Sequence, residues 1–278
     1  KFEAEKFLFN KSSNKKWPSL IKQIEVRSKI KQECGFGTYL INNHAGDDLV
    51  DRNFEAIVSA LRSFNEPFEE VEPKKIPNYK PSSQGRAARA LFIPREGWIN
   101  PRILLSALEK VLVDSQRAEF IDDRCRALRL SAGKIGGVAL ESGAAVGGDR
   151  YLLAPGAVFS KIIEKSDLGL RMPKIFYGVG ASLLLKTDEQ TLKNCVRTPN
   201  RGLACGVYAA PQGRRHTLVG ASNFIPSQPE VFPRIGSVYA LLGAAMNQIN
   251  SDYYRSQLVG VNVGWRPTSE DTLPLLGG

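Results

Sequence analysis

The sequence predicts a mixed fold of the α/β or α+β class, in which helices alternate with short strands. Three observations support this prediction. Segments with apolar residues at helical spacing alternate with short apolar runs, the middle of the chain has the closely spaced strands of a β-meander, and a short polar loop joins two late strands. The 278 residues, 42% of them hydrophobic, suffice for one large domain or two ordinary ones.

The first half of the chain is predicted to contain three helices and two strands. The third helix has the clearest start, because Asn100 is a good N-cap and Pro101 fits a first helical turn, where its missing N–H would have no partner. Gly35 is expected to stop the first helix. The predicted elements are helices at 17–33, 53–64 and 101–115, strands at 36–42 and 90–93, a polar turn at 43–48 and a proline-rich connection at 66–81.

The second half of the chain is predicted to be rich in strands. Its short apolar runs are separated by turn residues, and one long amphipathic helix interrupts them. A helix followed by a meander is typical of a nucleotide-binding domain with an inserted β-layer. The predicted elements are apolar runs at 118–121, 125–130, 135–140 and 151–154, strands at 181–186, 206–210 and 217–221 (the last two a hairpin), a helix at 232–254 and a strand at 258–265.

The composition disfavours several classes of protein. The sequence has no run of about 18 apolar residues, so it gives no indication of a membrane span. The two histidines and four widely spaced cysteines, without a C-x-x-C pair, argue against a zinc site. The net charge of +10 is spread along the chain, so we interpret it as a solvated surface and expect no nucleic-acid partner. The absence of a signal-peptide pattern and the interpretation of the cysteines as reduced predict a cytoplasmic protein.

Four segments in a fixed order carry the functional information. They are Gly97–Arg102, Tyr151–Ala157, Val207–Asn223 and Gly264–Gly277. In this order they resemble the D-amino-acid oxidase superfamily of FAD-dependent enzymes, within it the branch of glycine oxidase and sarcosine oxidase, over nearly the whole chain. The resemblance implies part of an FAD-binding Rossmann-type domain with a β-meander, together with a substrate domain built on a mixed antiparallel sheet.

The resemblance also implies how the chain is divided between the two domains. We expect residues 1–95 to belong mainly to the substrate or cap domain, 96–160 to the FAD-binding domain, 161–262 to the substrate domain and 263–278 again to the FAD-binding domain. The G-x-G-x-x-G fingerprint of such flavoproteins is not found, because Gly35-Phe36-Gly37 and Gly178-Val179-Gly180 lack its third glycine. Compared with the family, the chain is expected to be incomplete at both ends.

Five residues are assigned to the cofactor through this resemblance. Ala154, Pro155 and Gly156 would let a planar ring approach the backbone closely, because they lack large side chains; a simple strand-to-turn stop is the alternative. Cys125 matches a position whose backbone faces adenine, although a buried structural cysteine is the favoured interpretation of its thiol. Gly277 is assigned to the cofactor from the closing segment.

Three residues are assigned to the substrate in the same way. Arg266 matches the arginine of a W-G-x-R-P segment that holds the substrate carboxylate, a task suited to its planar, permanently charged fork; a surface arginine is the alternative. Tyr208 would support the carboxylate through its hydroxyl, although tyrosine favours half-buried strands anyway. Asn223 would line the pocket wall. Gly206 stands where glycine oxidases can carry a polar side chain, which leaves the substrate open.

The activity implied by the resemblance is oxidation of the C–N bond of a small amino acid or amine. Hydride would pass from the α-carbon to the flavin N5, and water would hydrolyse the resulting imine. Orientation against the cofactor accounts for most of such catalysis, so no catalytic acid or base is assigned. The electron acceptor and the oligomeric state stay open. The alternative function is that of an inactive or accessory flavoprotein-like subunit that needs a partner to bind FAD.

Overall fold

A computed structural model describes residues 2–43, 48–166, 168–169, 172–187, 192–200 and 206–275, with side chains from residue 4 onward. The chain forms two compact units. The first comprises Lys1–Arg117, Gly180–Phe224 and Phe232–Val263, and the second Ala118–Val179, Ile225–Val231 and Gly264–Gly278. The expected assignment of 1–95, 96–160, 161–262 and 263–278 to substrate and FAD-binding domains stays a prediction. None of the described helices is long and apolar enough to cross a membrane.

Eleven strands lie in the described residues. Eight of them form one sheet in the order β11-β7-β10-β9-β8-β1-β3-β2, and the other three form the sheet β4-β5-β6. The strands are β1 Cys34–Asn42, β2 Glu69–Val71, β3 Arg89–Ile99, β4 Cys125–Ser131, β5 Lys134–Leu140, β6 Ala145–Val146, β7 Ile175–Lys186, β8 Cys195–Arg197, β9 Tyr208–Pro211, β10 His216–Gly220 and β11 Gln257–Ser269. β7 and β11 each have residues in both units.

The large sheet is mixed, as the sequence predicts. β1 pairs with β8 in parallel, whereas β3, β9 and β10 pair with their described neighbours in antiparallel register. β9 and β10 form the expected hairpin. β4, β5 and β6 form the expected antiparallel meander in the second unit. The predicted α/β (α+β) class is therefore confirmed.

Five α-helices lie in the described residues. α5 packs on one face of the large sheet, where Leu241, Ala245 and Ile249 join its main apolar core. α2 packs near β1 and β3 through Phe54, which is fully buried with Val58 in a second core. The helices are α1 Phe2–Ser28, α2 Asp48–Ser63, α3 Pro101–Ser115, α4 Phe159–Glu164 and α5 Ile235–Gln248, with 3-10 helices at Pro73–Lys75, Gly156–Val158 and Ser251–Arg255.

The start and end of α3 confirm the prediction, whereas those of α1 do not. The Asn100 side chain accepts a hydrogen bond from the Arg102 N–H at 3.1 Å, as an N-cap should. α1 begins fifteen residues before the predicted start, since Phe2 precedes residue 17, and it ends at Ser28. Lys29 follows with a left-handed φ of 58°, and Gly35 lies in β1 opposite Trp98 instead of stopping the helix.

Three other predicted elements are corrected. The expected strand at 151–154 is irregular, and a 3-10 helix follows it; Leu152 is 94% exposed, so this apolar run does not pack as a sheet strand would. The run at 118–121 also forms no strand. The expected helix at 232–254 is shorter, because α5 ends at Gln248. The turn at 43–48 falls largely outside the described residues.

Several strand limits also differ. β7 begins six residues before the predicted strand at 181, and β11 runs on past 265, through Arg266 and Pro267, to Ser269. The proline-rich connection at 66–81 contributes the short edge strand β2. Pro267 is tolerated because β11 is the first strand of the sheet order. On the outer side of an edge strand no neighbouring strand needs the N–H that proline lacks.

We predict that Phe54→Ala lowers the free energy of unfolding by about 3 to 5 kcal/mol, because it leaves a cavity in the second core. Urea denaturation measures the change. Phe232→Ala is the matched control: Phe232 is 80% exposed, so the same truncation should cost under about 0.5 kcal/mol. Equal losses for the two variants would contradict the assignment of this core.

Candidate functional site

The two faces of the large sheet differ in how completely they are buried. Along β7, β8, β9 and β10, alternate residues lie in the core under α5, whereas several of their neighbours on the opposite face are only half-buried. Over β1 and β3 that opposite face is buried under α2, through Leu40 and Leu91. The core-facing residues include Leu183, Val196, Ala209 and Val219. The half-buried residues of the opposite face, called the open face below, include Ser182, Leu184, Arg197, Tyr208 and Leu218.

Tyr208 and Asn223 lie at the same end of the β9–β10 hairpin. Tyr208 begins β9 and is opposite Gly220, which ends β10, and Asn223 follows three residues later. The segment after β10 is fixed to β7, because Ser222 Oγ accepts from the Ala181 N–H at 2.9 Å and the Ser222 N–H donates to Ala181 O at 3.1 Å. The structure thus brings two of the three predicted substrate residues to one edge of the first unit.

The ring of Tyr208 lies directly over the α-carbon of Gly220. A β-carbon built on Gly220 would lie 2.5 Å from both Cζ and the hydroxyl oxygen of Tyr208. Such a distance is far shorter than a normal contact, so only glycine leaves room for the ring. The absence of a side chain at Gly220 thereby allows the tyrosine hydroxyl to lie at this position. No sequence pattern around Gly220 indicated this role.

An arginine and a glutamate form a two-bond ion pair beside Tyr208. Arg197 Nε lies 2.5 Å from one carboxylate oxygen of Glu96, and a terminal guanidinium nitrogen donates to the other at 2.8 Å. Burial lowers the pKa of Arg197, but the ion pair with Glu96 outweighs it and the net shift is upward. The Arg197 guanidinium is therefore charged at any working pH. The sequence analysis singled out neither residue.

Gly206 has no room for a larger side chain. A β-carbon at this position would lie 2.4 Å from Pro199 O and 2.5 Å from the hydroxyl oxygen of Thr198. The Val207 N–H donates to the same hydroxyl at 3.1 Å, which keeps the approach close. The polar side chain that glycine oxidases can carry here would not fit this backbone.

Helix α1 leaves a cavity of about 740 Å³ against the first unit's sheet. Its lining is largely apolar and includes Phe7, Phe36 and Ile93, and Glu96, the partner of Arg197, also lines it. A volume of this size matches those of small-molecule pockets. Glu96 thus joins this cavity to the ion pair on the sheet.

Arg266 lies in the second unit, on an exposed part of β11. Its neighbour Trp265 is held in place by a hydrogen bond from the indole N–H to Glu230 O at 2.7 Å and by an edge-on contact with Tyr177, whose ring centre is 5.7 Å away. Successive strand residues point to opposite faces, so fixing Trp265 orients Arg266 away from it. The carboxylate-binding roles of Arg266, Tyr208 and Asn223 stay predictions.

The segment around Gly156 fits close approach of a planar ring. Ala154 and Gly156 are exposed, and a β-carbon on Gly156 would meet no atom within 4 Å. Gly156 has a left-handed φ of 62°, which favours glycine. These residues leave a stretch of backbone uncovered, as contact with a flavin or adenine ring requires.

The other two residues predicted to contact the cofactor are Cys125 and Gly277. Cys125 is partly buried in β4 of the same unit, and burial raises the pKa of its thiol. Gly277 lies outside the described residues.

Neither partial glycine motif is a phosphate-binding loop. Gly35 and Gly37 lie within β1, where Gly37 sits at a register shift with a φ of 90°. Gly178 and Gly180 lie inside β7. A dinucleotide fingerprint needs a strand, a tight turn and a helix N-terminus directed at the pyrophosphate, and neither site has that arrangement. Neither motif, as the structure describes it, is therefore a pyrophosphate loop, and the FAD contacts of Ala154, Pro155 and Gly156 stay predictions.

A family model for FAD dependent oxidoreductases, the DAO family, matches residues 3–278. The chain belongs to this family. The DAO-family resemblance predicted from the four segments is thereby confirmed, and so is FAD as the cofactor. No curated protein matches this DAO-family chain.

Solved structures show the same fold at low sequence identity. The glycine oxidase from Geobacillus kaustophilus has a TM-score of 0.80 at 19% identity, covering 96% of this chain and 68% of its own. The glycine oxidase from Bacillus cereus has a TM-score of 0.79 at 17% identity, with coverage of 96% and 70%. The iminodiacetate oxidase from Chelativorans sp. BNC1 has a TM-score of 0.78 at 18% identity, with coverage of 95% and 69%.

We predict that Gly220→Ala destabilises the protein by about 1 to 3 kcal/mol, because the new methyl group overlaps the ring of Tyr208. In a Tyr208→Ala background the overlap disappears, so the same substitution should cost under about 0.5 kcal/mol. Chemical denaturation of the four variants measures this coupling. Gly236→Ala, in open space on α5, is the control and should be neutral or stabilising by up to about 1 kcal/mol. Equal costs in both backgrounds would contradict the contact.

Proposed function

We propose that this protein oxidises the C–N bond of a small amino acid or amine. The observation that carries the proposal is the match of the FAD dependent oxidoreductase family to residues 3–278. FAD, when bound, supplies the acceptor for the hydride that leaves the substrate carbon. The chain's own residues then have to hold the substrate in one orientation and keep its charged groups satisfied.

Arg266 is the residue to which we assign the substrate carboxylate. A guanidinium can donate two parallel hydrogen bonds to one carboxylate, which fixes the orientation of the bound group. The Trp265 contacts with Glu230 and Tyr177 restrict the strand that carries it. A preorganised donor loses less conformational entropy on binding, which suits a site that must orient a small substrate.

Tyr208 and Asn223 are assigned to the same substrate as supporting residues. The Tyr208 hydroxyl is fixed over Gly220 and offers a neutral donor for an anionic group. Asn223, at the same end of the hairpin, offers both a donor and an acceptor. Two solved structures of the same fold are glycine oxidases and a third is an iminodiacetate oxidase, which supports a small amino-acid or amine substrate.

Ala154, Pro155 and Gly156, together with Cys125 and Gly277, are the residues to which we assign FAD contacts in this chain. Ala154 and Gly156 are exposed and none of the first three carries a large side chain, which supports contact with a ring through the backbone. The thiol of Cys125 has no chemical role in this proposal. We also retain the cytoplasmic location as a prediction.

An accessory subunit that needs a partner to bind FAD is the second candidate. The lack of G-x-G-x-x-G within these 278 residues favours it. Such a protein, expressed at full length, would be purified without flavin and would acquire FAD only when its partner is added. An absorbance spectrum therefore separates the two candidates.

We predict that the full-length protein is purified with a flavin absorbance band and that anaerobic glycine, sarcosine or proline bleaches it. Bleaching reports reduction of the bound cofactor by the substrate, and imine hydrolysis should release the matching carbonyl compound. An equal concentration of acetate, which has a carboxylate but no C–N bond, is the control and should shift the band without bleaching it. The proposal is wrong if flavin is bound but no amino acid or amine bleaches it.

We predict that Arg266→Met raises KM for an amino-acid substrate by about 10- to 100-fold, the loss expected for hydrogen bonds to a charged group. Arg266→Lys should recover only part, because an ammonium lacks the planar fork. An amine without a carboxylate should be oxidised by Arg266→Met at nearly the wild-type rate. Arg129→Met, at an exposed arginine of β4, is the control for lost surface charge. Equal losses for both substrates would contradict the assignment.

A further inference from the structure

Ser182, Gly220 and Tyr208 form one row across three neighbouring strands. Gly220 in β10 is opposite Ser182 in β7 on one side and opposite Tyr208 in β9 on the other. The adjacent row, which includes Leu183 and Val219, lies in the core under α5. Because successive strand residues point to opposite faces, the row that contains Ser182 belongs to the open face.

The ring of Tyr208 extends along this row towards Ser182. A β-carbon on Gly220 would lie 2.5 Å from both Cζ and the hydroxyl oxygen of the tyrosine, so the end of the ring occupies the place of the missing side chain. Directly opposite residues of neighbouring strands have their β-carbons about 5 Å apart. Ser182 is therefore the side chain that follows the tyrosine hydroxyl in the row.

The Ser182 hydroxyl forms no hydrogen bond with any residue that the structure describes. The side chain is half-buried, and a partly desolvated hydroxyl needs a partner, which a ligand or water must then supply. The hydroxyl of Ser222, at the same edge, differs because it accepts from the Ala181 N–H at 2.9 Å. That bond fixes the backbone directly before Ser182, so the serine hydroxyl is presented on a rigid strand.

The next row of the open face is apolar. Leu184 in β7 is opposite Leu218 in β10, and both side chains are half-buried. Two hydroxyls, those of Ser182 and Tyr208, thus lie beside two leucines on the same strands or their neighbours. Such a surface fits a small ligand that has a polar or charged end and an aliphatic end.

We propose that Ser182 is a further substrate-binding residue, whose hydroxyl donates a hydrogen bond to the substrate carboxylate beside the hydroxyl of Tyr208. The inference rests on the proposed role of Tyr208, and it extends the substrate site from β9 across β10 to β7. An ionised carboxylate has about four acceptor positions, so it accepts from two hydroxyls at once. Leu184 and Leu218 border the aliphatic part of the substrate.

Two substitutions of nearly equal volume test whether Ser182 acts through its hydroxyl. Acetate is the probe, and its Kd is measured from the absorbance change of the FAD-loaded full-length protein. Ser182→Thr keeps a hydroxyl and suits a strand, so Kd should stay within about twofold of the wild-type value. Ser182→Val has no hydroxyl, and Kd should rise about tenfold, near the lower end for a hydrogen bond to a charged group.

Two further variants complete the comparison. Tyr208→Phe removes the other hydroxyl and should also raise the Kd of acetate about tenfold. Ser59→Val is the matched control: Ser59 is exposed on α2, so the same substitution there should leave Kd unchanged. Thermal melts establish that each variant is folded. Should Ser182→Val not fold, Ser182→Ala removes the same hydroxyl and takes its place.

The results distinguish this inference from the function on which it rests. Equal Kd values for Ser182→Thr and Ser182→Val would overturn the inference and leave the proposed oxidase function intact. No effect of Tyr208→Phe would overturn the role of Tyr208 and the inference with it. If Ser182→Val and Tyr208→Phe both weaken acetate but no amino acid or amine bleaches the flavin, the oxidase function is wrong and the carboxylate contact of Ser182 stands.

Discussion

The face of the large sheet under α5 is closed by one continuous apolar core, whereas the opposite face is closed by α2 only over β1 and β3, and the arrangement of the open face depends on this difference. Under α5 the sheet buries a continuous set of aliphatic side chains, which removes apolar area from water and supplies most of the driving force for folding. On the other face Arg197, Ser182 and Tyr208 are half-buried. A polar group in such a position is stable only when it is paired or solvated, so its geometry is fixed by specific partners.

The sequence predicted the elements in which local chemistry and tertiary packing agree. The cap at Asn100 and the β9–β10 hairpin are both set by residues close together in the chain. The strand predicted at 151–154 is wrong because an apolar run has no strand character without a neighbour to pair with, and Leu152 remains exposed. α1 is longer than predicted because its first 15 residues lack apolar periodicity but include many good helix formers, and the helix continues across Pro18.

The candidate site was predictable where its residues are near in sequence or match a family segment. Tyr208 and Asn223 come to one edge because a hairpin turn joins their strands. The pairing of Glu96 with Arg197 was not predictable, because 101 residues separate them and the long-range order β9-β8-β1-β3 places them together. Gly220 was missed for a different reason: the hairpin that contains it was predicted, but its requirement for glycine comes from the ring of a residue on the neighbouring strand.

Arg197 and Arg266 have the same side chain, but they differ in how well they are suited to bind a carboxylate. One edge of the Arg197 guanidinium, formed by Nε and a terminal nitrogen, is already directed at Glu96. A substrate carboxylate could bind there only by displacing Glu96, which would leave a half-buried carboxylate without its counter-ion, and the cost of that separation would cancel much of the gain. Arg197 is therefore poorly suited to bind the substrate through this edge, and the proposed assignment of the carboxylate to Arg266 rests on the segment in which Arg266 lies.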